Sequence, residues 1–434
     1  MRDWLSSILV VSMLACASPA EAQWRNERPY RGLFASGTGD AQQLLTATAS
    51  LGAGWDDNLV ADAFGRQTVS RDLSHQFKGG VGTGAAALRY TLSRANVGFG
   101  ATAGTTTRYY PSFENEFIRR EYASVGGSAN LGYGVSTYAG ASYQPYSLTS
   151  LYPAVFETRI SDPLVVDEDF PASLEHFFGY SAGLSYSRRL ARRTTFAAGY
   201  GYGGRSSSVH VGRYSSHSAD AGITHSISQN LALTAGYGYM EGHYSDNDRR
   251  YVNHAIDAGI NYTNSLSFSR RTTLSVGTGT SAYRSARNDS LRYRATGSAR
   301  LNHELGRTWN AGISYHRGIR FSESWPEPIF SDSVSAGVGG LVNRRTTLQF
   351  SARAMRGDGL AIQSGNDMFA YGAGAVLSVA VTRYINSGVS YAWYQHEFRN
   401  GLLLAPGLPD DFERHSVRAF VSVWAPLFQR PRRN

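Results

Sequence analysis

The amino-acid sequence predicts an all-β protein: a single antiparallel transmembrane β-barrel of about 18 strands, within a range of roughly 16 to 20, arranged as an up-and-down meander. Three observations predict this fold: side chains alternate with a period of two, hairpin-sized segments repeat, and small residues replace aliphatic ones. Of the 434 residues, 47 are glycine and 27 are tyrosine, and only 17% are charged. Such a chain cannot fill a large apolar core, yet 12% aromatic residues are too many for a disordered chain.

The alternation is clearest between Leu231 and Tyr239, where odd-numbered positions are apolar or aromatic and even-numbered positions are small or polar. The same pattern runs from Thr195 to Tyr202 and from Trp309 to His316. A period of two is typical of a β-strand whose two faces meet different surroundings. Each of these segments therefore predicts a strand with one apolar face.

A longer repeat organises the strands into hairpins. Arg-Arg-Thr-Thr followed by an apolar residue begins at Arg192, Arg270 and Arg344. Together with equivalent turns, these segments space alternate strand starts about 38 residues apart, which fits one hairpin and its connection. The predicted strands lie near 43–55, 77–92, 96–110, 119–133, 135–146, 176–188, 194–206, 211–226, 230–244, 250–264, 271–284, 289–303, 307–321, 328–341, 345–357, 368–382, 386–399 and 412–427.

The connections between these strands alternate in length. Short connections such as 93–96, 187–194 and 342–346 follow even-numbered strands, and long connections follow odd-numbered strands. Short periplasmic turns and long external loops are typical of bacterial outer-membrane barrels. The pattern predicts localisation in a bacterial outer membrane, with the N-terminus and short turns in the periplasm.

The two ends of the chain differ from its middle. Arg2, an apolar run from Trp4 to Cys16 and the segment Ala20-Glu21-Ala22 predict a signal peptide over residues 1–22, whose cleavage removes the single cysteine. The predicted organisation then comprises a lead-in or plug segment (23–42), the barrel (43–428) and a basic tail (429–434).

Charge and residue spacing exclude several function classes. The net charge of +9 comes almost wholly from arginines dispersed beside acidic loops, so no basic patch predicts nucleic-acid binding. Histidines are scattered singly without a zinc-binding motif, and alternation places His217 and Asp220 on opposite faces of one strand. We therefore expect no enzyme activity, no catalytic residues, no metal site and no cofactor.

Aromatic side chains on the predicted outward face are expected to form interfacial girdles, because their rings can lie in apolar tails while polar tips reach headgroups. The candidates are Tyr200, Tyr202, Tyr237, Tyr239, Tyr262, Tyr315, Tyr391 and Trp393.

Inward positions carry a set of arginines that are the candidate pore-lining residues. They are Arg292, Arg294, Arg300, Arg353 and Arg418. Two interpretations stay open: these charges line a channel that favours anions, or they are merely hydrated or paired with Asp220 and Asp257.

The segment Leu51-Gly52-Ala53-Gly54-Trp55-Asp56-Asp57-Asn58-Leu59 resembles the first strand of outer-membrane β-barrel porins of the porin-2-like type. The resemblance implies an outer-membrane barrel, and some members of that family are linked to exopolysaccharide export. Asp56, Asp57 and Asn58 either bind a cation or form a solvated turn, and turn preference favours the latter. The acidic loop 144–175 similarly either binds calcium or is a solvated loop, and its spacing favours the solvated loop.

The predicted function is a porin-like channel for passive passage of small solutes, or one that assists polysaccharide export. The alternative is a non-conducting structural or surface-interaction barrel whose lumen is plugged, with residues 23–42 as the plug. Expected partners are outer-membrane lipid and lipopolysaccharide, and the barrel-assembly machinery, for which Phe428 is the candidate signal.

Overall fold

The computed structural model of the chain describes residues 41–58, 78–111, 116–145, 176–207, 213–229, 231–245, 249–262, 272–285, 288–320, 328–359, 367–398 and 411–431. The predicted signal peptide, nearly all of the predicted lead-in and most of the acidic loop lie outside these described residues.

The described chain forms eighteen strands. Their bounds are β1 Ala41–Asp56, β2 Gly79–Ser93, β3 Val97–Tyr110, β4 Glu116–Gly132, β5 Val135–Pro145, β6 His176–Ala191, β7 Thr194–Ser207, β8 Tyr214–Ser226, β9 Leu231–Tyr244, β10 Arg249–Tyr262, β11 Thr272–Ser285, β12 Asn288–Leu305, β13 Trp309–Arg320, β14 Ile329–Leu341, β15 Thr346–Gly359, β16 Asp367–Ala380, β17 Ile385–Phe398 and β18 Asp411–Pro431. Within this part of the chain, no helix is long and apolar enough to cross a membrane.

These strands form one closed antiparallel sheet. Each strand pairs with the next along the chain, and β18 pairs with β1 to close the barrel. The closing register extends from Ala41 opposite Pro431 to Asp56 opposite Ser416. The predicted fold class, an 18-stranded up-and-down antiparallel barrel, is confirmed.

The pairing of β1 with β18, which we call the seam, also extends beyond the predicted ends of the barrel. β1 starts at Ala41, and β18 continues into the predicted tail as far as Pro431. Arg430 lies opposite Gln43, and Gln429 lies opposite Leu44. The first tail residues are extended because β1 supplies backbone hydrogen-bonding partners that a free tail would lack.

Connection lengths follow the predicted alternation with three exceptions. Most turns after even-numbered strands contain two to four residues, whereas 263–271 separate β10 from β11. Two connections after odd-numbered strands are short: 245–248 between β9 and β10, and 286–287 between β11 and β12. Two of the short turns are closed by their own polar side chains. The Asn343 Oδ1 atom accepts hydrogen bonds from the N–H groups of Arg345 (2.8 Å) and Thr346 (2.9 Å), and Thr382 Oγ1 accepts one from Ile385 (3.0 Å).

The two faces of the sheet differ as the alternation predicts. On the outer face, Leu51 is 74% exposed and Ile256 is 66% exposed. On the inner face of β14, Ser331 and Ser333 are each 1% exposed, while the intervening Asp332 points outward. The barrel therefore exposes apolar side chains outward and encloses small polar ones.

Close approach of tyrosine rings explains part of the glycine content. Tyr122 lies over Gly104, where an added Cβ would be 2.5 Å from the tyrosine Oη, and Tyr138 lies over Gly183 and Gly201. Any larger residue at these inner-face positions would displace the ring.

Candidate functional site

The barrel lumen is the candidate functional site, and its inner face follows from the strand register. Residues directly opposite each other in antiparallel strands lie on the same face. On β12, Arg292 lies opposite Tyr283, Arg294 opposite Ser281 and Arg300 opposite Ser275, which are all inner-face residues of β11. These three arginines occupy the predicted inner face, and all three are exposed within it.

The other two candidate arginines lie on the same face in different surroundings. Arg353 lies opposite Ser335 and Gly372, is partly buried, and extends across the position where Gly372 lacks a Cβ. Arg418 is only 6% exposed, and its Nη2 atom is 3.7 Å from Asp56 Oδ2. Arg418 is therefore buried beside a carboxylate, and we expect it to add less charge to the open lumen than the arginines of β12.

Two carboxylates lie on the inner face of the barrel wall that contains β8 and β10. Asp220 lies opposite Gly199 and Gly238, and Asp257 lies opposite Gly236 and Gly279. An added Cβ on Gly199 would be 2.7 Å from Asp220 Oδ1, so that carboxylate lies flat against β7. Within the described residues, neither aspartate forms an ion pair with any of the five candidate arginines.

Some of these charges lie at a similar level along the barrel. Arg300 and Asp220 are five and six residues from the short-turn end of their strands, and Arg353 is seven residues from its short-turn end. Asp257 is five residues from the C-terminal end of β10, which lies at the same end of the barrel. At about 3.3 Å per residue, this spread is less than about 7 Å along a strand. Arginines on β12 and β15 therefore share a level with carboxylates on β8 and β10.

The residues of the porin-like segment form a clasp at the barrel seam. Asp56 accepts hydrogen bonds from Arg414 Nε at 2.9 Å to each carboxylate oxygen, and both side chains are almost fully buried. Asp57 Oδ1 accepts the His415 N–H at 2.6 Å, and Asn58 Nδ2 donates to the Glu413 carbonyl at 2.7 Å.

This clasp corrects the expectation of a solvated turn. Asp56 is 0% exposed and neutralises a buried guanidinium on β18. Turn preference failed there because it describes local chain geometry, whereas the partner strand lies at the other end of the sequence. Among the described residues, no cluster of three or more histidine, cysteine or acidic side chains is arranged to hold a metal ion.

Sequence reasoning missed several further inner-face arginines. Arg108 lies opposite Thr83, Arg120 lies opposite Thr106, and Arg205 places its Cζ atom 3.6 Å from the Phe177 ring centroid. The alternation of β3, β4 and β7 contained the necessary signal. Arg108 and Arg205 are in phase with glycine and threonine residues of their own strands, and Arg120 is in phase with serine and glycine residues of β4.

The proposed girdle residues lie on the outer face. Tyr200, Tyr237 and Tyr391 are 49%, 46% and 38% exposed, respectively. Tyr202, Tyr239, Tyr315 and Trp393 share the outward phase of their strands, and the side chain of Tyr262 lies outside the described residues.

No family model matches the chain, and no curated protein matches it either. Among solved structures, the chain is similar to Pseudomonas aeruginosa OccK2 (OpdF) in complex with glucuronate, with a TM-score of 0.44 and 13% identity over 89% of this chain and 98% of that chain. P. aeruginosa OpdL has a TM-score of 0.43 and 12% identity over 89% and 99%. The siderophore receptor PirA from P. aeruginosa has a TM-score of 0.41 and 8% identity over 90% and 81%. The resemblance to porin-2-like barrels stays a prediction.

Proposed function

We propose that this chain is an outer-membrane channel through which small solutes pass passively, with a preference for anions. The observation that carries the proposal is the exposed row of Arg292, Arg294 and Arg300 in the inner-face phase of β12. Arg300 lies within the closed wall, opposite Ser275 and Ser314, whereas Arg292 and Arg294 lie nearer the start of β12, where the described register pairs it with β11 alone. Barrels of 16 to 18 strands are wide enough to leave an aqueous interior. An apolar outer face supports a membrane location for this barrel.

Small inner-face side chains support an open lumen. The inner face of β7 presents Gly199, Gly201 and Gly203, and that of β9 presents Gly236 and Gly238. Such positions leave the interior to solvent rather than to a packed core. Charged groups in a water-filled pore set the local potential and therefore its selectivity.

Asp220 and Asp257 make the proposal testable in both directions, because they carry the opposite charge to the arginines of β12 and form no ion pair with them. Charges of both signs that do not pair with one another contribute separately to the potential within the lumen. Removing arginine charge should weaken anion preference, and removing carboxylate charge should strengthen it.

The test is planar-bilayer recording on the purified, folded full chain. We expect stepwise conductance. In a salt gradient, we expect the sign of the reversal potential to indicate a preference for anions. Replacing Arg292, Arg294 and Arg300 with serine should move the reversal potential toward the cation side, and Asp220→Asn with Asp257→Asn should move it the opposite way. Arg284→Ser is the matched control, because Arg284 lies on the outward phase of the neighbouring β11.

Selectivity unchanged by the arginine replacements would remove those residues from the mechanism. A folded barrel that stays silent after deletion of residues 23–42 and shortening of loop 144–175 would refute the channel and favour the plugged scaffold. If the barrel conducts, liposome-swelling assays with small anions and with polysaccharide fragments would separate the two solute classes predicted from the sequence.

A further inference from the structure

The outer face of the barrel carries a cross-strand motif that occurs three times. In each copy, a tyrosine hydroxyl bonds to Nδ1 of a histidine on the following strand: Tyr200 to His217 at 2.7 Å, Tyr237 to His254 at 2.7 Å, and Tyr391 to His415 at 2.9 Å. With the tyrosine donating, Nδ1 is the acceptor and the ring proton lies on Nε2. In that tautomer, each histidine presents an Nε2–H donor away from the tyrosine.

The three copies differ in what satisfies that donor. His415 Nε2 lies 3.3 Å from Glu413 Oε1, so the third copy contains its own acceptor. Within the described residues, Nε2 of His217 and of His254 forms no hydrogen bond. The Nε2 atoms of His217 and His254 are therefore available to an acceptor from outside the barrel.

A guanidinium adds further donors to the same surface. Arg250 Nη2 donates to Glu241 Oε2 at 2.7 Å, yet its side chain is 62% exposed, so most of its N–H groups point outward. Glu241 Oε2 also accepts the Tyr239 hydroxyl at 2.6 Å, so Arg250 and Tyr239 share one oxygen of this carboxylate. Because Glu241 lies opposite His217 and next to the strand that carries Arg250 and His254, these groups cluster across β8, β9 and β10.

We propose that this donor patch, formed by His217, Arg250 and His254, docks the phosphorylated headgroup of an outer-leaflet glycolipid. Phosphate oxygens accept several hydrogen bonds and carry the charge complementary to a guanidinium. A lipid rather than a soluble phosphate fits the position, because exposed apolar residues continue the same outer face toward the short turns: Ile223, Leu233 and Ile256 are 46%, 42% and 66% exposed. Acyl chains can cover these side chains while the headgroup meets the donors.

The proposal rests on the proposed membrane location but not on conduction. The probe is diphosphorylated lipid A, added to the purified full chain in detergent, with bound lipid counted by native mass spectrometry. Replacing His217 and His254 with phenylalanine and Arg250 with glutamine should weaken lipid A retention by about tenfold or more. His415→Phe is the matched control, since it removes the same motif where Glu413 already occupies Nε2, and it should leave retention unchanged.

Equal retention by the wild type and the triple variant would overturn the proposal, as would an equal loss in His415→Phe. Equal binding of dephosphorylated lipid A would exclude phosphate recognition, and equally tight binding of inorganic phosphate alone would exclude a lipid site. A β-sheet circular dichroism spectrum equal to that of the wild type confirms that the triple variant is folded, and bilayer conductance, measured separately, distinguishes the two proposals. If the barrel retains lipid A but never conducts, the channel proposal is refuted and the lipid proposal stands.

Discussion

Replacing Asp56 with alanine should destabilise the barrel more than removing any exposed carboxylate. Asp56 is 0% exposed and its partner Arg414 is 1% exposed, so the substitution leaves a guanidinium buried without its counter-charge, with Arg418 close beside it. Breaking a buried pair from one side typically costs about 3 to 5 kcal/mol. We expect a loss of that size in the free energy of unfolding.

The assay is urea-induced unfolding in lipid vesicles, followed by tryptophan fluorescence, with Asp332→Ala as the matched control. Asp332 is 38% exposed on the outer face, lies 3.8 Å from Arg317 and accepts the Tyr315 hydroxyl at 2.6 Å, so its loss should cost about 1 to 2 kcal/mol. Combining Asp56→Ala with Arg414→Met should cost less than the sum of the single changes, because both buried charges then leave together. Equal costs for Asp56→Ala and Asp332→Ala, or strict additivity of the double variant, would refute the clasp as the stabilising feature of the seam.

Two further predictions address the faces and the orientation of the barrel. Leu233→Arg places a charge on the apolar outer face and should lower the free energy of unfolding by about 2 to 4 kcal/mol near the bilayer midplane. Thr234→Arg on the inner face should lower it much less. Unfolding in lipid vesicles measures both variants, and equal losses would contradict the assignment of inner and outer faces. A protease-cleavable tag within residues 144–175 should be cut on intact cells, whereas a tag in the turn between β6 and β7 should stay protected until the outer membrane is opened. The reverse pattern would contradict the predicted orientation of the barrel in the membrane.

Strand β12 illustrates how much of the lumen could be predicted. Arg292, Arg294 and Arg300 recur at even positions, and a strand alternates its faces regardless of what surrounds it. The register places all three in the same phase as the inner-face residues of β11, and their role as pore-lining residues stays a prediction. The same local rule placed Tyr200 and Tyr237 outward, because only the phase within one strand was needed.

The pairing of charges could not be predicted in the same way. Asp56 and Arg414 are separated by 358 positions in sequence, and nothing near either residue identifies the other. Alternation likewise could not show that Asp220 and Asp257 would lie over glycines of neighbouring strands instead of reaching an arginine. Cross-strand contacts depend on register, which a one-residue slip would change completely.

The sequence by itself predicted about eighteen strands, the inward and outward faces of the clearest ones and most of the short turns, because these properties arise from residues two positions apart or within one hairpin. Only the tertiary structure decided the register in which β1 and β18 meet, that Asp56 neutralises a buried arginine there, and that His217, Arg250 and His254 share one patch. Barrel closure brings Asp56 to Arg414, and the register of three neighbouring strands brings the patch together, so both depend on cross-strand pairing that no single strand encodes.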